Sequence, residues 1–203
     1  MKAVLMSIQP KWCELIASGK KTVEVRKTKP KLEVPFKVYI YCTKARNPIR
    51  DNGRILMYED DLAITNRWGR GKRVENPFGA MMVGELFLNG KVIGEFVCNK
   101  IDEYRYGVYD NEFCYHIPTA EGIKTCMEYT EAEEYGNGKP LYFWHISNLV
   151  IYDKPKELGE FLIDCKNCGK RYVGDSTCWQ GCMNGYRKLT RPPQSWCYVE
   201  EVN

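Results

Sequence analysis

The sequence predicts an α+β protein built on a small mixed β-barrel with one or two flanking helices. Three observations carry that reading. Six or seven strand-like runs outnumber two helical ones. The strands do not alternate regularly with helices, as a βαβ sandwich would require. Long connections separate the runs, which suits strands that curl into a closed sheet.

In chain order, Lys2 to Ile8 reads as a short strand. Gln9-Pro10 punctuates it, Pro10 being suited to the first position of a helix. Trp12, Leu15 and Ile16 then fall at i, i+3 and i+4 on one face of a helix over Lys11 to Ala17. Ser18-Gly19 closes that helix, since glycine tolerates a left-handed C-terminal position. From Thr22 to Arg26 the pattern alternates, with Val23 and Val25 on one face and Thr22, Glu24 and Arg26 on the other. A Lys/Pro-rich connection leads to a strand over Lys37 to Thr43. Lys44 to Phe78 lacks sustained periodicity and is expected to be a long, partly ordered insertion. Gly84 to Phe87 and Lys91 to Asn99 flank Asn89-Gly90 as a hairpin. Thr119 to Glu134 is the second helical segment, its acidic residues from Glu128 to Glu134 read as a solvated face. Leu141 to Tyr152 reads as one or two buried strands, Pro155 to Leu158 as a short helical turn, and Trp196 to Val199 as a last strand. The expected organisation is therefore a barrel domain over residues 1–154, a Cys-rich appendage over 155–190, and a final strand from 191–203 that returns to the barrel.

Composition narrows the functional classes. The 203 residues carry 30 Lys plus Arg against 26 Asp plus Glu, a formal +4 too mild to demand a polyanionic partner. A hydrophobic share of 44% with 28% charged residues excludes a largely disordered chain. No run approaches the roughly 18 apolar residues of a membrane span. The opening Met1 to Pro10 has too short an apolar run for a secretory signal, so a cytoplasmic setting is expected. There, the ten cysteines would bind metal or sit buried rather than pair as disulfides. No P-loop, dinucleotide fingerprint or Ser-His-Asp order occurs, which argues against an NTPase, a dehydrogenase and a serine hydrolase.

The most informative stretch is Gly19-Lys20-Lys21-Thr22-Val23-Glu24-Val25-Arg26. It sets two ammonium groups at a helix-to-strand turn, then a carboxylate and a guanidinium two residues apart on one strand face. An Arg fork holds a carboxylate or phosphate bidentately, and Lys21 adds a point charge. An edge strand with alternating solvated charges would give the same pattern. Between Lys11 and Lys31, seven basic residues face two acidic ones. A second basic run, Arg67 to Arg73, interleaves Trp68 with Arg70 and other cations, a composition able to follow a phosphate backbone and stack a base. Trp144 is a further candidate for stacking, with burial as the competing reading.

Gly19-x-Lys21-x-x-Glu24-x-Arg26, after the helix ending Ile16-Ala17-Ser18, resembles the signature of the ASCH domain family, relatives of the PUA domains. Ser7 to Trp12, Tyr142 to Ser147 and Arg191 to Tyr198 look like a phage- and prophage-associated branch of it. The resemblance implies a PUA-like barrel with a helix beside a cleft, and a role with RNA or modified nucleosides. Gly19, Lys20, Lys21, Glu24 and Arg26 would then line the binding site, with Trp68, Arg70 and Trp144 as outlying contacts. Some ASCH-like proteins are amidohydrolases acting on N4-acetylcytidine, and others are metal-dependent ribonucleases. The resemblance puts the amidohydrolase lysine at Lys21 but its threonine at Glu24, leaving Thr22 as a weak substitute on the same face. In a binding reading Lys21 and Arg26 face phosphates while Glu24 orients Arg26 or accepts from a base. In a hydrolytic reading Lys21, depressed in pKa, is a base and Glu24 moves a proton or positions water. A third reading is a phage-encoded module that binds a protein through its Cys-rich tail.

In that tail, Cys165-Lys166-Asn167-Cys168-Gly169 is a C-x2-C followed by glycine, and Cys178 and Cys182 form a C-x3-C pair nine residues on. Two close thiol pairs suit a tetrahedral structural zinc, and a segment without a core of its own would draw folding energy from it. Packed thiols are the competing reading.

Overall fold

A computed structural model describes residues 1–44, 48–51, 54–58, 72–76, 79–83, 90–109, 111–165 and 185–201, the strands between 48 and 83 by backbone alone. The chain opens with β1 (Lys2–Ile8), α1 (Pro10–Ala17), β2 (Val23–Arg26) and β3 (Phe36–Cys42). Two separate ladders follow, β4 (Pro48–Asp51) with β5 (Arg54–Tyr58) and β6 (Lys72–Asn76) with β7 (Gly79–Val83). The stretch without visible periodicity, Lys44 to Phe78, thus holds three short strands, and the partner of the third, β7, follows directly after it. Next come β8 (Val92–Tyr104), the hairpin β9 (Tyr106–Tyr109) and β10 (Glu112–Tyr115), α2 (Thr119–Thr125), α3 (Tyr129–Gly136) and the long β11 (Leu141–Lys156). A 3-10 turn at Leu158–Glu160 leads to β12 (Leu162–Asp164), which pairs with β13 (Tyr186–Lys188) before β14 (Trp196–Glu200). Among the described residues no helix is long and apolar enough to cross a membrane.

Six strands form one mixed sheet in the order β14-β1-β3-β8-β11-β2, with β1 and β3 parallel and every other pair antiparallel. The sheet curls until its edges approach. Beyond β2, Lys31 N–H donates to the Tyr198 hydroxyl (2.7 Å), and the Trp196 indole N–H donates to Thr28 Oγ1 (2.9 Å). Arg26 Nη2 donates across the same seam to the Ser7 carbonyl (2.7 Å). Side chains, rather than a backbone ladder among the described residues, join the edges of the predicted barrel.

Period-2 alternation sorts residues to either side. Val4, Met6, Ile8, Val38, Ile40, Phe96 and Trp144 fill the concave interior, whose end is covered by Cys13 and Ile16 of α1. On the outer face, Ala3, Leu5 and Tyr39 pack against Phe161 and Leu189, so both flanks of the Cys-rich segment dock on the barrel. Val23, Val25, Leu141 and Phe143 are covered by Tyr115 and by Ala132 of α3. Burying each of the valine, leucine, isoleucine, methionine and phenylalanine side chains among them contributes about 1.5–3 kcal/mol to folding.

The predicted single helix over 119–134 is two. Cys126 takes a left-handed conformation (φ 54°), and the Thr125 hydroxyl donates to the Gly122 carbonyl and accepts from Met127 N–H, ending α2 with local hydrogen bonds.

Candidate functional site

The turn after α1 places the site. Pro10 starts the helix without losing a needed donor, and Gly19 (φ 72°) ends it. The Leu15 carbonyl then accepts from both Lys20 and Lys21 N–H (3.0 Å each). This folds the chain back so that Lys21 enters the barrel mouth just before β2 begins.

Lys21, Glu24 and Arg26 meet there, only 1%, 4% and 9% exposed. Glu24 lies between two cations: its Oε1 is 3.1 Å from Arg26 Nη2 and its Oε2 3.4 Å from Lys21 Nζ. Lys21 Nζ also donates to the Thr125 carbonyl (2.5 Å) and sits 4.8 Å from the Trp12 ring centroid. Burial lowers the Lys21 pKa; Glu24 opposes the shift and Arg26 adds to it. The triad carries two positive charges against one negative, a costly excess in a buried site unless something polar or anionic answers it. Two of its atoms have no hydrogen-bond partner, the acceptor Glu24 Oε2 and the donor Arg26 Nε.

These side chains form the floor of an open cleft of about 1330 Å³. Pro10 and Trp12 of α1 make one wall; Met127, Glu131, Glu134 and Tyr135 make another. The third is the strap Pro193-Gln194-Ser195, which is tied to β1: Ser7 Oγ donates to the Pro193 carbonyl (2.7 Å) and Ser7 N–H to the Ser195 carbonyl (2.8 Å). Burial also pushes the Tyr135 hydroxyl pKa up, with Arg26 acting against it.

Of the remaining sequence-predicted site residues, those that are described do not gather here. Gly19 and Lys20 are exposed and shape the turn without lining the cleft. Thr22 is exposed outside β2; its N–H donates to the Lys124 carbonyl (3.0 Å), a tie to α2, and its side chain is off the cleft. Trp144 is fully buried, edge-on to Phe36 with centroids 5.6 Å apart, so its ring has no free face for a base. The acidic segment also departs from expectation, because Glu131 and Glu134 of α3 line the cleft instead of facing away. Cys165 is buried at the end of β12. Trp68, Arg70, Cys168, Cys178 and Cys182 lie outside the described residues.

Sequence reasoning did not single out Ser7, Thr125, Tyr135 or the strap as site residues. Thr125 acts through its carbonyl, which leaves no mark in a sequence. The strap lies within the Arg191 to Tyr198 stretch that had been singled out, without a role there.

A curled mixed sheet with a charged cleft where its edges meet is the architecture of a small barrel domain with a ligand-sized hollow at its seam. The chain belongs to the ASCH domain family, whose profile matches residues 6–166. In structure it is similar to the ASCH protein from Zymomonas mobilis. A serine-to-alanine variant of that protein superposes with a TM-score of 0.50 at 15% identity, covering 98% of this chain and 89% of that one. For the crystal structure titled without a substitution the values are 0.46 at 16%, covering 77% and 73%. A tyrosine-to-phenylalanine variant gives 0.45 at 16%, covering 78% and 77%. Comparison with curated proteins finds no match in sequence.

Proposed function

We propose that the cleft binds RNA or a modified nucleoside through the Lys21–Glu24–Arg26 triad. The observation that carries this reading is two buried polar atoms of the triad that make no hydrogen bond, the donor Arg26 Nε and the acceptor Glu24 Oε2, the latter answered only by the Lys21 ammonium 3.4 Å away. A nucleobase edge offers the complementary donor and acceptor, and a phosphate would answer the extra positive charge. Trp12 and Tyr135 supply aromatic surface in the same cleft. The acidic wall at Glu131 and Glu134 opposes a long polyanion on that side, which favours one or two nucleotides at the floor over a backbone laid across the whole cleft.

The test is titration of the protein with short single-stranded RNAs and a panel of free and modified nucleosides, at two salt concentrations. Glu24→Gln and Arg26→Lys are each expected to weaken the best ligand about 10- to 100-fold, the weight of a hydrogen bond to a charged group. Unchanged affinity in both variants, with circular dichroism like the parent's, overturns the reading.

A second reading, hydrolysis at the same cleft, is favoured by Lys21 Nζ and Glu24 Oε2 standing 3.4 Å apart on its floor, with burial lowering the lysine pKa in the direction a general base needs. Product formation from an N-acetylated nucleoside or from RNA, lost in Lys21→Met, separates turnover from binding.

The proposal extends to the tail: Cys165, Cys168, Cys178 and Cys182 would hold a structural zinc ion as four thiolates, closing the segment that β12 and β13 dock on the barrel.

A further inference from the structure

On the face of β8 and β11 opposite the cleft floor, three metal-ligating side chains from three elements converge. Asp102 comes from β8, His145 from β11 and Glu121 from α2. His145 Nε2 lies 2.7 Å from Asp102 Oδ2 and 3.8 Å from Glu121 Oε2, and the three atoms lie within 4.8 Å of one another. The ladder is irregular here. Trp144 pairs with Ile101 but Ile146 with Cys98, so a two-residue step on β11 meets a three-residue step on β8. Such a bulge re-aims side chains beside it.

The second observation is an oxygen without a partner. Glu121 Oε1 takes Lys124 Nζ (2.8 Å) and Asp102 Oδ2 takes Lys100 Nζ (2.8 Å). Glu121 Oε2 is shielded from water, has no hydrogen bond, and faces the imidazole. A shielded carboxylate oxygen left unmatched is costly, and a cation between it and His145 would remove that cost. One imidazole and two carboxylates suit zinc and its first-row neighbours rather than calcium. Metal–ligand distances near 2.0–2.1 Å put donor atoms about 3.3 Å apart, between the two separations to His145, so side-chain adjustments of under about 1 Å would close the shell, with water completing it.

We propose that Asp102, Glu121 and His145 bind a divalent transition-metal cation that clamps α2 to the sheet. The clamp has a consequence for the cleft. The far end of α2 supplies the Thr125 carbonyl to Lys21 Nζ and the Lys124 carbonyl to Thr22 N–H. A seven-residue helix is marginal alone, and a metal at one end would brace the carbonyls at its other.

Cobalt(II), titrated into the full chain prepared metal-free, tests this. Near-ultraviolet sulfur-to-cobalt charge transfer marks cobalt on the thiolates, and visible d–d absorption that grows without it marks a nitrogen and oxygen site. The expected result is about one equivalent of cobalt with d–d bands and no sulfur band of its own. Its affinity should fall about 10- to 100-fold or more in His145→Gln. Glu121→Gln, which leaves the His145–Asp102 hydrogen bond intact, should show the same loss without disturbing the sheet. Lys124→Met, which removes a competing cation, should tighten binding. Cobalt confined to the thiolate band, or equal non-sulfur affinity in the parent, His145→Gln and Glu121→Gln, overturns the proposal.

Discussion

Lys21 is the residue on which the cleft turns, because an ammonium group 1% exposed must be held by its neighbours or lose its proton. Its neighbours are Glu24, the Thr125 carbonyl and the Trp12 ring, while burial and Arg26 pull the other way. The amine should therefore titrate below the ordinary 10.5, and Glu24→Gln should lower its midpoint further by removing the charge that supports it. Heteronuclear NMR of the lysine side chains reads both values, and a Lys21 midpoint at or above 10.5 contradicts the geometry. Linkage gives a second readout. Between the native midpoint and 10.5 the unfolded chain binds the proton that the native chain has released, so stability rises with pH across that interval. Below it, the destabilising cost of the buried charge is present in full. Lys21→Met should flatten this rise.

At the scale of elements, α3 shows how closely the helices are fitted to the sheet. Gly136, its last residue, lies against Tyr115, whose hydroxyl donates to the Lys139 carbonyl (2.6 Å). A Cβ at 136 would run into that hydroxyl and sit 2.6 Å from the ring carbon bearing it. Gly136→Ala is expected to cost about 1–3 kcal/mol in urea unfolding, through overpacking of a tyrosine that cannot retreat. A loss below about 0.5 kcal/mol would mean that Tyr115 moves freely. The elements also mark where the sequence was readable. β1, α1 and β2 follow from local patterns: alternation in Lys2–Ile8, Pro10 at the helix start, Gly19 at its end, and valines alternating with charges over 23–26. The Glu24 and Arg26 face was legible for the same reason. The break at Cys126 was not, because a left-handed cysteine carries no compositional signal and the acidic run beyond it continues a helical pattern. The β9–β10 hairpin turns at Asn111 (φ 70°) without an Asn-Gly pair and leaves Phe113 67% exposed, so neither turn chemistry nor burial pattern announced it. Burial of Trp144 was one of the two readings its sequence offered, but that Glu131 would face the cleft depended on how distant segments meet, which periodicity does not encode.

For the molecule as a whole, the decisive feature is the seam between the β2 and β14 edges. Backbone ladders hold every other junction of the six-stranded sheet, but the described seam depends on the Trp196–Thr28 and Tyr198–Lys31 hydrogen bonds and on Arg26 reaching the Ser7 carbonyl. Ser7 connects the seam to the cleft, since it also anchors the Pro193 to Ser195 strap. One wall of the cleft is therefore tied to a seam that two exposed hydrogen bonds and one buried one hold together. Thr28→Val with Tyr198→Phe keeps both shapes and removes both edge bonds. The pair should cost about 0.5 kcal/mol per bond, the low end for exposed partners. The larger effect should be local: amide exchange should quicken at 27–31 and 196–198 while the strands around Val38 and Phe96 keep their protection, because the interior they enclose is untouched. Ligand affinity at the cleft should fall with it, although neither substituted residue lines the cleft. Uniformly faster exchange would instead show that closure of the seam and stability of the barrel are one event, and unchanged exchange would show that Arg26 and Ser7 hold the edges without help.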